Sequence, residues 1–337
     1  MNPDVSVVIP VYNEEEGLQQ LFDRLYPALD NLGRGYEVLF VDDGSSDRSV
    51  AVLRDQFQRR PDVTRVVVLA RNAGQHMAIL AAFAHSRGRY VITLDADLQN
   101  PPEEIARIVA AMDAGADYVG TIRVSRQDVM WRRAASRLMN RVREGTTSIR
   151  ITDQGCMLRG YDRSVVDAVN HCTEVSTYVP ALAYTFARHP VEIEVSHAER
   201  TVGQSKYSLY ALVRLNFDLM TGFSVAPLQF FSMAGGLIAL VSLILVVVLL
   251  IRRVIVGPEA QGLFTLFAIA FFLIGVTLLG LGVVGEYVGR IYEQVRQRPR
   301  FTVAAVLEDP AAAAAALPRA VPAVVTPRLP VASGVPE

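Results

Sequence analysis

Residues 92–104 read ITLDADLQNPPEE, and this stretch decides the fold. Apolar and β-branched residues run directly into Asp95 and Asp97, two carboxylates separated by a single residue. Such a strand is typical of a parallel sheet, in which the turns at the carboxyl edge carry the ligand-binding groups. Pro101, Pro102 and the two acids after them favour a helix start. The stretch therefore predicts a buried strand, an acidic turn and a helix, in that order.

The same order recurs from residue 5 to about residue 120, which predicts an α/β domain with a mostly parallel sheet. The predicted strands are VSVVIPVY (5–12), YEVLFVDDGS (36–45), TRVVVLA (64–70), RYVITLDAD (89–97) and DYVGTIR (117–123). Asp42 and Asp43 end the second strand, so we expect them at the same edge as Asp95 and Asp97. Ser46 or Asp47 would cap the helix that follows, which accounts for one of the acids but not for all of them.

The composition indicates a membrane protein. Of the 337 residues 51% are hydrophobic, and the mean hydropathy is +0.27. The net charge of −1 gives no sign of nucleic-acid binding, and two cysteines are too few for a disulfide framework. Residues 228–251 and 260–285 contain no charged side chain. Because each run would reach about 36 Å or more as a helix, and a hydrocarbon core is about 30 Å thick, we predict two transmembrane helices.

The predicted organisation has five parts: a cytoplasmic α/β domain (1–205), an interfacial amphipathic helix (206–227), two membrane spans with a short periplasmic loop (228–285), a cytoplasmic interfacial segment (286–301) and a disordered Ala/Pro-rich tail (302–337). For the second part, a surface helix packed on the domain is the alternative. The motif GLGVVG at 280–285 fits a dinucleotide fingerprint, but no strand precedes it, and close packing of helices in lipid explains it better.

The acids at the carboxyl edge predict a metal and a nucleotide. Carboxylates such as Asp95 and Asp97 suit Mg²⁺ or Mn²⁺, whose coordination is completed by water and substrate phosphates. Gln99 would add a neutral oxygen. Asp42 would accept the N–H of a nucleobase, which gives base specificity. A D-x-D motif alone is weak, but DDGS at the end of the second strand makes the pattern specific.

The segments VSVVIPVYNEEEG, VDDGSSD, LARNAGQHMAILAAF and TLDADLQNPPEE, with the paired C-terminal apolar runs, resemble the family 2 glycosyltransferases of GT-A (Rossmann-like) fold, and more narrowly the polyprenyl-phosphate glycosyltransferases. The resemblance covers roughly residues 4–300. ITDQGCMLRGY, HCTEVSTYVPALA and HAERTVGQSKYS look closest to the members that move 4-deoxy-4-formamido-L-arabinose from UDP to undecaprenyl phosphate. Glucosyl or mannosyl transfer is the alternative, and a non-catalytic membrane scaffold is a further one.

This resemblance implies an inverting, metal-dependent enzyme of the bacterial inner membrane, acting in lipid A modification and polymyxin resistance. Relatives are often homo-tetramers. Carried over position by position, it implies nucleotide-sugar contacts from Pro10, Tyr12, Glu14, Asp42, Arg71 and Asp95, and metal contacts from Asp95, Asp97 and Gln99. It implies acceptor-phosphate contacts from Arg123, Arg126, Arg200 and Lys206, and catalytic roles for Asp97, Asp153 and Arg200.

Asp153 is our candidate for orienting or deprotonating the acceptor, and a turn-forming role in its polar loop is the alternative. Many relatives carry a G-D-F-R-like motif where this chain has GCMLR, so Cys156 stands where their aspartate falls. A strong base is not required, because a phosphate monoester has a second pKa of about 6 and is largely ionised at neutral pH. The protein would then supply positioning and charge neutralisation.

Overall fold

The computed structural model describes residues 3–123, 149, 151–172, 178–196, 226–256, 263–296 and 298–309. The chain divides into two compact units. The sheet unit comprises residues 1–129, 149–205 and 298–337, and the helical unit comprises residues 130–148 and 206–297. The predicted interfacial helix lies outside the described residues as far as residue 225.

Four parallel strands form the centre of the sheet unit, as the sequence predicts. They are β1 (Val5–Val11), β2 (Tyr36–Asp42), β3 (Thr64–Leu69) and β4 (Tyr90–Thr93). Strand β1 pairs in parallel with both β2 and β4, and β2 pairs in parallel with β3. Nearly all of their side chains are buried, which explains why their sequences are continuous apolar runs rather than alternating ones.

Helices connect the strands of the sheet unit, and most of them bury one face. The described helices of the sheet unit are α1 (Leu18–Asp30), α2 (Ser49–Arg59), α3 (Gln75–His85), α4 (Ile105–Asp113), α5 (Arg163–His171) and α6 (Val179–Phe186), with a 3₁₀ turn at Pro102–Glu104. In α1 the buried positions 18, 21, 22, 25, 26 and 29 follow the helical period. This stripe is the one that an amphipathic helix turns toward a core.

Three further strands extend the sheet, in the order β7-β5-β6-β4-β1-β2-β3-β8. They are β5 (Tyr118–Arg123), β6 (Arg159–Asp162) and β7 (Pro190–Val195). Strand β6 runs antiparallel between β4 and β5, so that Arg159, its first residue, pairs with Thr93, the last residue of β4. A Cβ atom at Gly160 would lie 2.5 Å from Ile108 Cγ2, and the glycine therefore lets α4 pack against β6.

The eighth strand corrects our prediction of a disordered tail from residue 302. Strand β8 (Val303–Leu307) pairs antiparallel with β3. Glu308, just beyond it, accepts hydrogen bonds from Arg65 Nη2 at 2.9 Å and Arg87 Nη2 at 2.6 Å. The prediction was wrong here because the short run VAAVL (303–307) lies close to the polyalanine stretch and was assigned to the same disordered tail. In the structure this run pairs with the edge strand β3, and Arg65 and Arg87 bind Glu308 just beyond it. Residues 310–337 lie outside the described part of the chain.

The helical unit contains two long helices, α7 (Ala226–Val256) and α8 (Leu263–Val295). Among the described residues, one stretch is long and apolar enough to cross a membrane, Ile269–Val295, and Leu228–Ile238 is a shorter apolar stretch. The second predicted span therefore stays a prediction. Helix α8 also continues without a break through residue 285, where we predicted a boundary. Phe271, Leu278 and Leu281 on α8 are more than half exposed, as side chains that face lipid would be.

Candidate active site

Polar side chains gather where the central strands end. Asp42 is the last residue of β2, Asp95 follows β4 by two residues, and Arg123 is the last residue of β5. Because β6 is antiparallel, the loop that precedes it, residues 153–158, ends at this same edge. The fold thus brings acids from the first half of the domain to a loop that lies far along the sequence.

Hydrogen bonds connect the loop after β1 to the loop after β2. Asn13 Oδ1 accepts a hydrogen bond from Ser46 N at 2.8 Å, and Asn13 N donates to Ser45 Oγ at 3.0 Å. Asn13 has a φ of +54°, in the left-handed region that asparagine tolerates better than most residues. Glu14 N donates to Ser49 Oγ at 3.0 Å. These contacts hold the predicted nucleotide residues Tyr12 and Glu14 beside the acidic end of β2.

The two aspartates of DDGS have different roles. Both carboxylate oxygens of Asp43 accept backbone N–H groups, from Ala73 at 2.7 Å and Gly74 at 2.9 Å, so Asp43 fixes the start of α3. Asp42 Oδ2 accepts from Gly44 N and Ser45 N, both at 3.1 Å. Asp42 Oδ1 is buried and has no hydrogen-bond partner among the described residues. A buried carboxylate oxygen left in this state suits an N–H donor from a ligand.

The loop that carries Arg71 packs tightly against DDGS. A Cβ atom at Gly44 would lie 2.6 Å from both Arg71 C and Asn72 N, and Gly44 also has a φ of +69°. Only glycine meets both requirements. Arg71 itself is exposed, at the same edge as the acids. Pro10 lies inside β1 opposite Val41, one residue short of the level of Asp42.

The D-x-D turn concentrates negative charge. Burial first, and the charge of Asp97 second, raise the pKa of Asp95 to about 7, and the opposing effects of Gln75 and Arg123 do not cancel this shift. Gln75 Nε2 donates to Asp95 Oδ1 at 2.7 Å, and Gln99 N donates to Asp97 Oδ1 at 3.2 Å. The turn passes through Leu98 at a φ of +58°, a costly conformation for leucine.

This donor set fits a divalent cation bound together with a phosphate-bearing substrate. No group of three or more His, Cys, Asp or Glu side chains that could hold a metal occurs among the described residues. Mg²⁺ is usually bound through one or two carboxylates plus substrate phosphates, so a pair of carboxylates is what such a site requires. A cation there would offset the charge of Asp97, which adds to the effect of burial in raising the pKa of Asp95.

Asp153 and Arg123 form an ion pair at the other end of this edge. Arg123 Nε donates to Asp153 Oδ2 at 2.7 Å and Arg123 Nη2 donates to Asp153 Oδ1 at 2.8 Å. The predicted base is therefore bound to the predicted acceptor-phosphate ligand. Cys156 is fully buried, and burial raises the pKa of its thiol, which agrees with a packed residue rather than a nucleophile.

Sequence reasoning missed two residues of this edge, Gln75 and Arg159, and left a third, His76, as plausible but without a role. Gln75 reaches Asp95, and Arg159 is a buried cation behind the 153–158 loop. His76, at the start of α3, has a buried Nδ1 with no partner among the described residues, and burial followed by the charge of Arg159 lowers its pKa to about 4. The position of His76 at a strand-to-helix turn marked it in the sequence, and the same position is the signal that could have found Gln75. Of the predicted site residues, Arg126, Arg200 and Lys206 lie outside the described residues.

Comparison with known proteins gives the family. Residues 6–169 match Glycosyl transferase family 2. Two relatives are undecaprenyl-phosphate 4-deoxy-4-formamido-L-arabinose transferases. That of Edwardsiella ictaluri (strain 93-146) is 52% identical over 301 residues, covering 89% of this chain and 93% of the relative. That of Enterobacter sp. (strain 638) is 50% identical over 305 residues, covering 90% and 93%.

The sheet and its acidic edge thus define the class as a glycosyltransferase of GT-A-like fold. This chain belongs to glycosyl transferase family 2. Among solved structures it is similar to glucosyl-3-phosphoglycerate synthase from Mycobacterium tuberculosis in complex with Mn²⁺, UDP and phosphoglyceric acid, with a TM-score of 0.47, 17% identity and coverage of 65% of this chain and 76% of that one.

Proposed function

We propose that this enzyme transfers 4-deoxy-4-formamido-L-arabinose from its UDP carrier to undecaprenyl phosphate at a bacterial inner membrane. The observation that carries the proposal is the identity of 50% or more with two transferases of that name across about nine-tenths of the chain. The apolar stretch Ile269–Val295 supports a membrane location, where a polyprenyl acceptor is found. Two spans and a cytoplasmic sheet unit are part of the proposal.

The acidic edge supports a UDP-sugar donor. Asp42 Oδ1, buried and unpartnered among the described residues, would accept the N–H of uracil, with Pro10, Tyr12, Glu14 and Arg71 around the nucleotide. Asp95, Asp97 and Gln99 would hold Mg²⁺ or Mn²⁺ close to the diphosphate. When bound, the cation supplies positive charge that stabilises the departing diphosphate. Arg200 and Lys206 would add positive charge at the acceptor phosphate.

The acceptor needs no strong base in this reaction. A phosphate monoester is largely a dianion at neutral pH, so one of its oxygens can attack the anomeric carbon directly. The new bond joins that oxygen to the sugar, the bond between the sugar and UDP breaks, and UDP leaves with the electron pair. A single displacement of this kind inverts the anomeric configuration. Arg123 and Arg126 would hold the acceptor phosphate in line.

A donor panel tests the proposal. The full chain in detergent or nanodiscs is incubated with undecaprenyl phosphate and with UDP-4-deoxy-4-formamido-L-arabinose, UDP-glucose or GDP-mannose, with and without EDTA. We expect one formamido-pentose per lipid phosphate from the first donor, and no product with EDTA. Faster transfer of glucose or mannose would replace the assigned sugar, and UDP binding without transfer from any donor would favour a non-catalytic scaffold.

A further inference from the structure

The pairing of Arg123 with Asp153 leaves Asp153 little freedom to act as a base. The two hydrogen bonds, 2.7 and 2.8 Å long, join the guanidinium and the carboxylate as a parallel fork. The side chains are only 14% and 7% exposed. Charge-assisted forks of this kind are among the strongest protein hydrogen bonds. Asp153 Oδ1 also accepts from Gly155 N at 3.1 Å. A proton on Asp153 would therefore have to displace a buried cation.

A second arginine, Arg159, binds main-chain oxygens of the 153–158 loop. Arg159 is fully buried and donates from Nη2 to Asp153 O at 2.6 Å and from Nε to Cys156 O at 2.9 Å. Its Nη1 donates to Tyr118 Oη at 2.6 Å, which ties the loop to β5, the strand that ends in Arg123. From the other side, Tyr178 Oη donates to Gln154 O at 2.5 Å. Loop and strand end are thus fixed to each other.

The absence of a side chain at Gly155 leaves room for the guanidinium of Arg123. A Cβ atom at residue 155 would lie 2.7 Å from Arg123 Nη2, closer than real Cβ atoms approach such an atom. No positive φ requires glycine at this position. Because the fork to Asp153 holds the guanidinium in place, a larger residue at 155 would crowd the Arg123 side chain.

One nitrogen of the guanidinium makes no hydrogen bond to a described residue. Asp153 engages Nε and Nη2, and Nη1 has no hydrogen-bond partner among the described residues. The charge of Arg123 also reaches the D-x-D turn, where it opposes the rise in the pKa of Asp95. Arg123 therefore binds the 153–158 loop and also acts electrostatically on one of the acids that would bind the donor diphosphate. For transfer, the acceptor phosphate must come close to that diphosphate.

We propose that Asp153 and Gly155 are positioning residues, which together hold the Arg123 guanidinium with its free edge toward the acceptor phosphate, and that Asp153 is not a base. The inference rests on the proposed function in taking a phosphate monoester as acceptor. The loop positions Arg123, and the acceptor phosphate, which is already ionised, is itself the nucleophile.

Two variants test the inference, Asp153→Asn and Gly155→Ala. Gly155→Ala keeps both charges and crowds only the guanidinium, so it remains informative even if Asp153→Asn folds poorly. We expect each to raise the KM for undecaprenyl phosphate at least tenfold, to leave UDP affinity within twofold of wild type, and to leave the pH profile of kcat unchanged. A general base contributes about 10²–10⁴-fold. A fall in kcat of that size for Asp153→Asn, with Gly155→Ala unaffected, would overturn the proposal.

A double-mutant cycle with Arg123→Ala adds a second criterion. If Asp153 acts only through Arg123, then Asp153→Asn costs less than twofold in kcat/KM once Arg123 is absent. Additive losses would mean an independent role and would also overturn it. The controls are Asp113→Asn, which breaks a fork pair with Arg34 elsewhere, and Gly35→Ala, whose Cβ would meet nothing closer than 3.9 Å. All values are ratios to wild type with the donor that wild type uses, so the outcome does not depend on the sugar.

Discussion

The two edges of one sheet treat buried charge in opposite ways. At the amino edge, Glu37 Oε1 accepts from Ser6 Oγ and Arg87 N, both at 2.6 Å, and Glu37 Oε2 accepts from Arg65 Nη1 at 2.9 Å. Glu308 completes the set, so that two acids face two arginines. At the carboxyl edge, Asp42 Oδ1 has no partner and Asp95 is paired with an amide rather than a cation, among the described residues.

This difference indicates that the charges at the amino edge stabilise the fold, whereas those at the carboxyl edge bind ligands. A charge network in which every donor and acceptor is paired stabilises the fold when intact, and removing one member leaves a buried charge uncompensated. Acids that repel each other at an edge open to ligands destabilise the unliganded protein and favour a bound cation or N–H donor. Substitutions at the two edges should therefore change stability in opposite directions.

The largest effect is expected at the carboxyl edge. Asp97→Ala removes one of the two carboxylates proposed to hold the metal, and we expect transfer to fall by about 10³-fold or more. The measurement is the initial rate of lipid-linked product across a Mn²⁺ titration, with a thermal scan to establish that the variant is folded. Near-normal turnover would remove Asp97 from the metal site.

Next in size is the loss of Glu37. Glu37→Gln leaves Arg65, whose side chain is 8% exposed, without its buried counter-charge, and we expect the free energy of unfolding to fall by about 3 kcal/mol. Chemical unfolding of the full chain in detergent, followed by circular dichroism, measures the loss. Turnover of the folded variant should stay within a few-fold of wild type. A variant as stable as wild type would mean that the amino-edge network is not structural.

Asp95→Asn should have the opposite sign and depend on pH. With a folded pKa of about 7 and an unfolded value of about 4, the folded state binds more protons than the unfolded state between these values. The stability of the metal-free wild type therefore falls as the pH rises from about 4 to 7. Asn removes this contribution, so we expect the variant to be more stable by about 2 kcal/mol at pH 7.5 and equal to wild type near pH 4.

Thermal midpoints of both proteins in EDTA at several pH values test this prediction. Asp113→Asn is the control, because Asp113 is an exposed partner of Arg34 at the amino end of the sheet, away from Asp95. A constant difference between wild type and Asp95→Asn across the pH range would contradict a titration of Asp95 in that window.

The smallest effect is expected for Glu308→Gln. Glu308 is 25% exposed and Arg65 keeps its bond to Glu37, so water compensates part of the loss. We expect a decrease of about 1 kcal/mol in the free energy of unfolding. Faster hydrogen exchange at β8 and β3 amides, with unchanged exchange in β1, would locate the change. Unchanged exchange in β8 would show that Glu308 does not hold that strand.

The sequence predicts the strands that are long, apolar and bounded by acids. Strands β1 to β5 fall within the predicted runs, and Asp42, Asp95 and Asp97 lie at the expected edge. Strand β6 escapes prediction because RGYD is short, polar and contains a glycine required by α4. The same strand determines the contact between Arg123 and Asp153. Residues 30 apart meet only because β6 inserts antiparallel between β4 and β5, and no local pattern encodes that choice.

Strand β8 is synthesised late, so the sheet stays incomplete until most of the chain has been made. Its partner β3 ends at Leu69, but β8 begins at Val303, after both long helices of the helical unit. At 5–20 residues per second the ribosome needs roughly ten to fifty seconds to cover that distance. For that time the edge of β3 is open, and an open apolar edge invites pairing with other chains. Arg65 in β3, paired with Glu37 of β2, places a charge within that edge strand, and charged residues on an edge disfavour such pairing until β8 is made.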